Sequence, residues 1–157
     1  MPEPPIRLIR AGPLESGLTQ GIYHALARKM MESSQDTIIL CSPKTPYLCI
    51  GYHQVLDAVL DRKICDNKEL PILRRRVGGG ATYLDHNQVF YQCIFHHSRV
   101  PARADKVYQM MLEAPVQVLN QLGLDGRLRA VNEVEANAMR IAAVSYTHLT
   151  LPTSFEV

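Results

Sequence analysis

The sequence lacks several features that would assign it to a common functional class. No apolar stretch approaches the roughly 20 residues that a membrane-spanning helix needs. No apolar signal-peptide core follows the proline-rich start. A net charge of +2 over 157 residues is too small to indicate a nucleic-acid or membrane partner, although it suits anionic small molecules. We therefore expect a soluble, cytoplasmic protein with neither kind of partner.

Metal and thiol motifs are also missing. The four cysteines show no C-x-x-C spacing. Three of them lie in apolar strand-like runs and one on a predicted helix, so we expect reduced, buried thiols and no cysteine nucleophile. His96 and His97 could bind a metal only with a third ligand, which the sequence does not identify, and we predict no metal site in the protein itself. The cysteines are Cys41, Cys49, Cys65 and Cys93.

The chain has no internal repeats or low-complexity linkers, and its 46% hydrophobic residues suffice for one globular domain. Periodicity and turn residues predict alternating strands and helices. The predicted strands are residues 6–10, 37–41, 47–50, 71–75, 81–83, 89–95, 127–131 and 140–143, and the predicted helices begin at Ser16, Val55 and Ala104.

Three further expectations concern how these elements connect. Strands 37–41 and 47–50 should be neighbours, and strands 81–83 and 89–95 should form a hairpin. Pro115 should kink or divide the helix that starts at Ala104, and Gly123 should end it. A turn around residues 136–138 should join the last two strands.

Three consecutive glycines that follow three arginines are the most informative feature. Residues without a Cβ allow close approach of the backbone to a ligand, and guanidinium groups bind carboxylates and phosphates. On a strand, Arg74 and Arg76 would share one face and Arg75 the other, so at most two can reach one site. A ligand-free glycine hairpin and solvated arginines remain alternatives. The P-loop and dinucleotide motifs are excluded because no Lys-Ser/Thr follows and the next residues are strand-like.

These residues carry a family resemblance. Arg74, Arg75, residues 78–81, Tyr83 and Asp85 resemble the signature loop of the lipoate-protein ligase family, Arg-Arg-x-Ser/Thr-Gly-Gly-Gly-Ala-Val-Tyr-His-Asp. Residues 51–54 are similar to the family's Gly-x-x-Gln segment, and residues 132–134 to its Asn-Asp-hydrophobic segment. The resemblance covers about residues 6–143.

The resemblance implies an α/β catalytic domain of the biotin and lipoate ligase type over residues 1–143, incomplete at its C-terminus, with a mixed, largely antiparallel sheet flanked by helices. It also implies that ATP and lipoate form lipoyl-AMP, from which a lysine of a lipoyl-domain protein takes the lipoyl group. Mg²⁺ is expected with ATP, held largely by phosphate oxygens and water. Octanoate is an alternative acyl acid.

Roles for individual residues follow from the same resemblance. Arg74 or Arg75 would contact the acyl carboxyl or the phosphate, Asn132 would reach the nucleotide phosphate or its metal, and His53 would border the acyl group. The implied substrate- and nucleotide-binding residues are Arg74, Arg75, Val77, Gly78, Gly79, Gly80, Ala81, Tyr83, Asp85, Asn132, His53 and Gln54.

Departures from the family pattern keep two other functions open. Arg140 stands where the family has its catalytic lysine, and it can bind an anion bidentately without reproducing a lysine's geometry. Val77 replaces the usual hydroxyl residue, and Ala138 lies where glycine is common. The alternatives are an octanoyl or lipoyl transferase of the same fold, which would need a cysteine, and a non-catalytic acyl- or nucleotide-binding paralogue.

The last fourteen residues differ from the rest. Residues 144–157 contain no lysine or arginine and are rich in threonine and serine. Residues 144–153 resemble an in-frame translation of a sequencing-library adapter, so we expect a non-native tail. A genuine terminal strand is the alternative.

Overall fold

The computed structural model of the protein describes residues 5–130 and 132–145. This part forms two compact units, residues 5–96 and residues 97–145. Four of its six strand pairs are antiparallel and two are parallel. The expected mixed, largely antiparallel α/β class is thus confirmed. The tail predicted at residues 144–157 lies outside the described residues from residue 146 onward.

The first unit contains a three-stranded sheet covered by one long helix. Strands β1 (Arg7–Leu14), β2 (Thr37–Pro43) and β6 (Phe90–Ile94) are ordered β1-β2-β6. Alternate residues of the central strand β2 are buried, as expected when one face of a strand packs on a core. Helix α1 (Ser16–Arg28) covers that face. The core comprises Ile39, Cys41 and Ile94, with Ile22 and Leu26 of α1 packed against it.

A second, shorter sheet in the same unit carries the glycines. Strands β3 (Tyr47–Ile50), β4 (Ile72–Arg74) and β5 (Thr82–Leu84) are ordered β4-β3-β5. Short helices α2 (Leu56–Val59) and α3 (Arg62–Asn67) lie between β3 and β4 in sequence. Strand β4 is parallel to β3 and β5 is antiparallel to it, so residues 75–81 cross the carboxyl end of β3. The predicted placement of this loop at a sheet end is confirmed.

Two predicted pairings are wrong. Strands β2 and β3 belong to different sheets, and so do β5 and β6, which therefore form no hairpin. Strand β6 pairs with β2, and β5 pairs with β3. Apolar runs and turn residues identify where strands begin and end. They do not select the partner, which is decided by contacts between segments far apart in sequence.

The second unit is a helix on an antiparallel three-stranded sheet. Helix α4 (Ala104–Gln121) is followed by β7 (Gly126–Arg129), β8 (Glu133–Ala136) and β9 (Met139–Ala143), ordered β7-β8-β9. Strand β8, which the sequence did not predict, is the central one. Its Val134 and Ala136 are buried, as are Val107 and Leu112 of α4. Asn137 and Ala138 have positive φ angles and form a turn at the predicted position. The turn joins β8 to β9, whereas the prediction had it join the strands that correspond to β7 and β9.

Helix α4 continues through Pro115, so it is not divided there as one alternative predicted. Proline removes one helical hydrogen bond, at a cost of about 3 kcal/mol in a helix interior. Packing on both sides of Pro115 offsets this cost, since Leu112 is buried and Leu119 lies against Gly126. Gly123, with φ +78°, follows the end of the helix as predicted. None of the helices described is long and apolar enough to cross a membrane.

Candidate functional site

The loop of residues 75–81 exposes backbone N–H groups. Gly78, Gly79 and Gly80 are all exposed, and Gly79 has φ +105°. Within the described chain, the N–H groups of these three glycines donate no hydrogen bond, while the carbonyls of Gly78 and Gly80 accept bonds from Arg75. Successive unpaired N–H groups form a concave anion-binding feature of the backbone. The loop can therefore donate to an oxyanion without a side chain.

Arg75 fixes the glycine loop by hydrogen bonds to its carbonyl groups. It is only 8% exposed. Its Nη2 donates to the carbonyl oxygens of Gly78 (3.0 Å) and Gly80 (2.8 Å), and its Nε also donates to Gly78 (3.2 Å). Its Nη1 donates to the Cys49 carbonyl at 3.2 Å. These bonds turn the loop carbonyls inward. They also direct the guanidinium towards the backbone, whereas the sequence suggested a direct contact with ligand.

Arg74 performs the same task for the neighbouring turn at residues 51–54. Its Nη1 donates to the carbonyl oxygens of Gly51 (3.0 Å), Tyr52 (3.0 Å) and Gln54 (2.6 Å). Because adjacent residues of an extended chain point in opposite directions, one arginine serves each loop. A contact of Arg74 or Arg75 with substrate stays a prediction, and the contacts described here are with carbonyls.

Gly51 lies directly against the glycine loop. A Cβ on this residue would be 2.0 Å from the carbonyl oxygen of Gly79 and 2.9 Å from its carbonyl carbon. The Gly51 N–H donates to Oε1 of Gln54 at 2.8 Å, and the Tyr52 N–H donates to the Val77 carbonyl at 3.0 Å. The 51–54 turn and the glycine loop are thus packed backbone to backbone. Sequence reasoning gave Gly51 no role, although the Gly-x-x-Gln segment contained the signal.

The remaining predicted residues of this unit occupy the same region in different environments. Val77 is buried, which explains an apolar residue at a position where the family has a hydroxyl. Tyr83 is 49% exposed, and exposed His53 lies edge-on to the Tyr52 ring with centroids 4.9 Å apart. Asp85 accepts from the Asn87 N–H at 2.9 Å, so its carboxylate shapes the turn after β5. Ala81 is exposed and leads into β5.

A polar network links α1 to the start of β3. The hydroxyl of fully buried Tyr47 lies 2.7 Å from Oγ1 of Thr19 and accepts from Nε2 of Gln20 at 2.9 Å. The Tyr23 hydroxyl donates to Oε1 of Gln20 at 3.3 Å. Burial, with a smaller effect of Cys49, raises the pKa of Tyr23 to about 12, although the charge of Arg75 opposes this shift. The sequence did not predict this network, because helical periodicity identifies the apolar positions of α1 and not its polar contacts.

The cysteines behave as expected. All four are free; Cys41, Cys49 and Cys65 are buried, and Cys93 is partly buried. Burial raises the pKa of the Cys41 and Cys93 thiols, which disfavours the thiolate that a nucleophile needs. Residues 5–130 and 132–145 contain no group of three or more His, Cys, Asp or Glu side chains that could hold a metal ion.

Asn132 and Arg140 belong to the second unit. The Asn132 Nδ2 donates to the Val144 carbonyl at 2.9 Å, and the Val144 N–H donates to the Asn132 carbonyl at 2.9 Å. Asn132 therefore fixes the end of β9. The Arg140 side chain is 63% exposed, and its Nη1 lies 3.1 Å from Oε1 of Glu133. This ion pair was not predicted, because the partner is on the adjacent strand.

The structure is thus a mixed α/β fold whose glycine loop presents unpaired N–H groups at the end of a short sheet. The family model of the lipoyl protein ligase A/B catalytic domain matches residues 20–150. The chain belongs to this family.

Solved structures share the fold. A bipartite lipoate protein ligase of Thermoplasma acidophilum, studied with its E2 lipoyl domain, is 21% identical with a TM-score of 0.85 over 94% of this chain and 58% of its own. Lipoate-protein ligase A bound with ATP is 21% identical with a TM-score of 0.81 over 91% and 61%. A T. acidophilum protein with bound lipoic acid is 21% identical with a TM-score of 0.79 over 91% and 63%. The chain thus spans about three fifths of the length of these structures. No curated protein matches it.

Proposed function

We propose that this protein is a lipoate-protein ligase. It would activate lipoate with ATP to lipoyl-AMP and transfer the lipoyl group to a lysine of a lipoyl-domain protein. Family membership supports the general assignment. The proposal includes a cytoplasmic location, a catalytic domain over residues 1–143 and a non-native tail over residues 144–157.

The unpaired N–H groups of Gly78, Gly79 and Gly80 are the observation that carries the proposal. Adenylation brings the lipoate carboxylate against the α-phosphate of ATP, and two anions approach only when fixed positive groups offset their repulsion. Arg75 bonds to the carbonyls of the loop and so fixes the direction of the loop N–H groups. These N–H groups would meet this need without rearrangement during the reaction. The carbonyls of Gly78 and Gly80 bond to Arg75 and the Val77 carbonyl bonds to the Tyr52 N–H, so these carbonyls would not face the anions.

The proposed reaction has two steps. In the first, a carboxylate oxygen of lipoate attacks the α-phosphorus of ATP, and pyrophosphate leaves with the electron pair of the broken P–O bond. In the second, a lysine amine attacks the carbonyl carbon of lipoyl-AMP, AMP leaves, an amide forms and the amine loses a proton. Residues 77–81 would line the acyl-adenylate, with His53 and Gln54 beside the acyl group and Tyr83 and Asp85 beside the nucleotide.

Asn132 has a free atom suited to the metal that accompanies ATP. Its Nδ2 is bonded to Val144, but its Oδ1 accepts no hydrogen bond from the described residues. A carbonyl oxygen is a ligand type that suits Mg²⁺, which also binds phosphate oxygens and water. We therefore keep, as part of the proposal, the contact of Asn132 with the metal or the phosphate that the family resemblance implies. The metal would offset phosphate charge when bound.

Arg140 favours a second candidate, a non-catalytic paralogue that binds an acyl acid or a nucleotide. Arg140 replaces the family's lysine, and its guanidinium is paired with Glu133. An octanoyl or lipoyl transferase is the third candidate. It is supported less by this chain, since burial raises the pKa of the Cys41 and Cys93 thiols.

Exchange of labelled pyrophosphate into ATP tests the proposal. The ligase predicts exchange that requires lipoate, and transfer of lipoate to a lipoyl domain when the acceptor is added. Lipoate binding without exchange would select the paralogue. Acyl transfer from a carrier protein without ATP would select the transferase. Sequencing the parent gene decides whether residues 144–157 are native.

A further inference from the structure

The three consecutive arginines before the glycine loop are used differently. Arg74 donates to carbonyls of the 51–54 turn, and buried Arg75 donates to carbonyls of the glycine loop and of Cys49. Arg76 is exposed and has neither a hydrogen bond nor an ion pair with any residue of the described chain. It is therefore the one guanidinium of this group left for a ligand.

The backbone on both sides of Arg76 is fixed. The Arg75 N–H donates to the Ile50 carbonyl at 3.0 Å, and the Val77 carbonyl accepts from the Tyr52 N–H at 3.0 Å. Val77 itself is buried. Arg76 thus projects from a held backbone one residue before the buried Val77 and two before Gly78. Its Cα is positioned in advance, and only its side chain must be ordered on binding, which limits the entropy cost.

One side chain of α1 lies within electrostatic range of Arg76. The pKa of His24 on α1 is lowered, mainly by burial and then by the charges of Arg76 and Arg28. Arg76 therefore lies close enough to His24 for an electrostatic effect. His24 also has a buried Nε2 atom without a hydrogen-bond partner in the described chain. A guanidinium without an ion-pair partner, such as that of Arg76, attracts anionic ligands and speeds their association.

We propose that Arg76 is the side chain that contacts the oxyanion of the bound ligand, while Arg74 and Arg75 position the two loops. The oxyanion is the carboxylate of lipoate or a phosphate of ATP, which present the same chemistry to a guanidinium. This inference rests on the proposed function, since that function supplies the ligands. It assigns direct contact to a position that the family's signature leaves variable.

Binding calorimetry on the full chain tests the role of Arg76 with lipoate and ATP as separate probes. Loss of a charge-assisted hydrogen bond should weaken binding by about tenfold or more. We expect Arg76→Gln to show this loss for one of the two ligands and so to identify the oxyanion. Arg76→Lys should be intermediate, because it keeps the charge and loses the bidentate geometry. Salt should weaken wild-type binding more than binding to Arg76→Gln.

Arg10→Gln is the matched control. Arg10 is an exposed arginine of β1 whose side chain has no hydrogen bond or ion pair in the described chain, and its removal changes the net charge equally. It should leave the affinity unchanged, and all variants should keep the wild-type urea midpoint. If the wild type binds a ligand and Arg76→Gln binds both with wild-type affinity and salt dependence, the Arg76 proposal is wrong while the proposed function stands. If the wild type binds neither lipoate nor ATP, both fail.

Discussion

Arg75 and Arg140 are the same residue type in two settings, one in each unit. Arg75 is 8% exposed and donates to three backbone carbonyls. The Arg140 side chain is 63% exposed and pairs with one carboxylate, that of Glu133. An exposed ion pair stabilises a protein by about 0–1 kcal/mol, whereas a buried hydrogen bond to a charged group contributes about 1.5–3 kcal/mol. The comparison indicates that Arg75 maintains the shape of its loop and that Arg140 contributes little to its sheet.

The largest effect should come from Arg75→Met. Removing the guanidinium leaves the carbonyls of Gly78 and Gly80 without a donor, and the Cys49 carbonyl keeps only its bond from the Thr82 hydroxyl. We expect a loss of about 3 kcal/mol in the free energy of unfolding. Urea denaturation measures it. Arg140→Met is the matched control and should cost less than about 1 kcal/mol. Equal losses in the two variants would refute the contrast between the two arginines.

A smaller effect should follow from adding a methyl group at a crowded glycine in either unit. At Gly51 the new Cβ would meet the Gly79 carbonyl oxygen at 2.0 Å, and at Gly126 it would meet the Leu119 Cβ at 2.8 Å. Overpacking costs typically about 1–3 kcal/mol, and we expect Gly51→Ala near the upper end because a backbone must move. Ligand binding should suffer in Gly51→Ala, since the glycine loop is displaced.

Gly21→Ala is the control for these variants. Gly21 lies within α1, and a Cβ there would meet nothing within 4 Å. Alanine should stabilise the helix by about 0.5–1 kcal/mol. Unfolding curves of the three variants provide the comparison. A Gly51→Ala protein as stable as Gly21→Ala would show that the two loops are not packed as described.

Alkaline pH should lower the free energy of unfolding through the ionisation of Tyr23. Its pKa in the folded protein is about 12, above the ordinary value of 10.0, mainly because it is buried. A raised pKa means that this contribution to stability is fully present below pH 10 and is lost as pH rises towards 12. The difference in unfolding free energy between wild type and Tyr23→Phe should therefore shrink over this interval. The pKa values of Tyr47 and Tyr91 are also raised by burial, so both proteins retain some alkaline sensitivity. A constant difference would contradict the assignment to Tyr23.

The smallest effect on stability is expected for Arg140→Lys. Lysine can keep the exposed pair with Glu133, so the free energy of unfolding should change by less than about 1 kcal/mol. Under the proposed function, lysine restores the family's residue, and we expect the rate of lipoate-dependent pyrophosphate exchange to rise. Glu133→Gln, which removes the partner, is the control for the ion pair. A lower exchange rate in Arg140→Lys would show that Arg140 has a role of its own.

Local chemistry made much of the fold predictable. The positions of the helices and of the strands other than β8, the stop at Gly123 and the turn at Asn137 and Ala138 follow from periodicity and turn residues, which act over a few positions. Pairing was not predictable in the same way. The β5–β6 hairpin was expected because two strand-like runs flank a turn, yet each strand pairs in a different sheet.

The candidate site was also predictable only in part. The sequence by itself determined that a glycine loop would lie at a sheet end, that arginines would stand beside it, and that the thiols would be buried or partly buried. Only the tertiary structure decided that Arg74 and Arg75 donate to carbonyls while Arg76 does not, and that Gly51 supports Gly79. The reason is physical: a residue's type fixes which bonds it can make, but burial and the carbonyls brought near it by distant segments fix which bonds it does make.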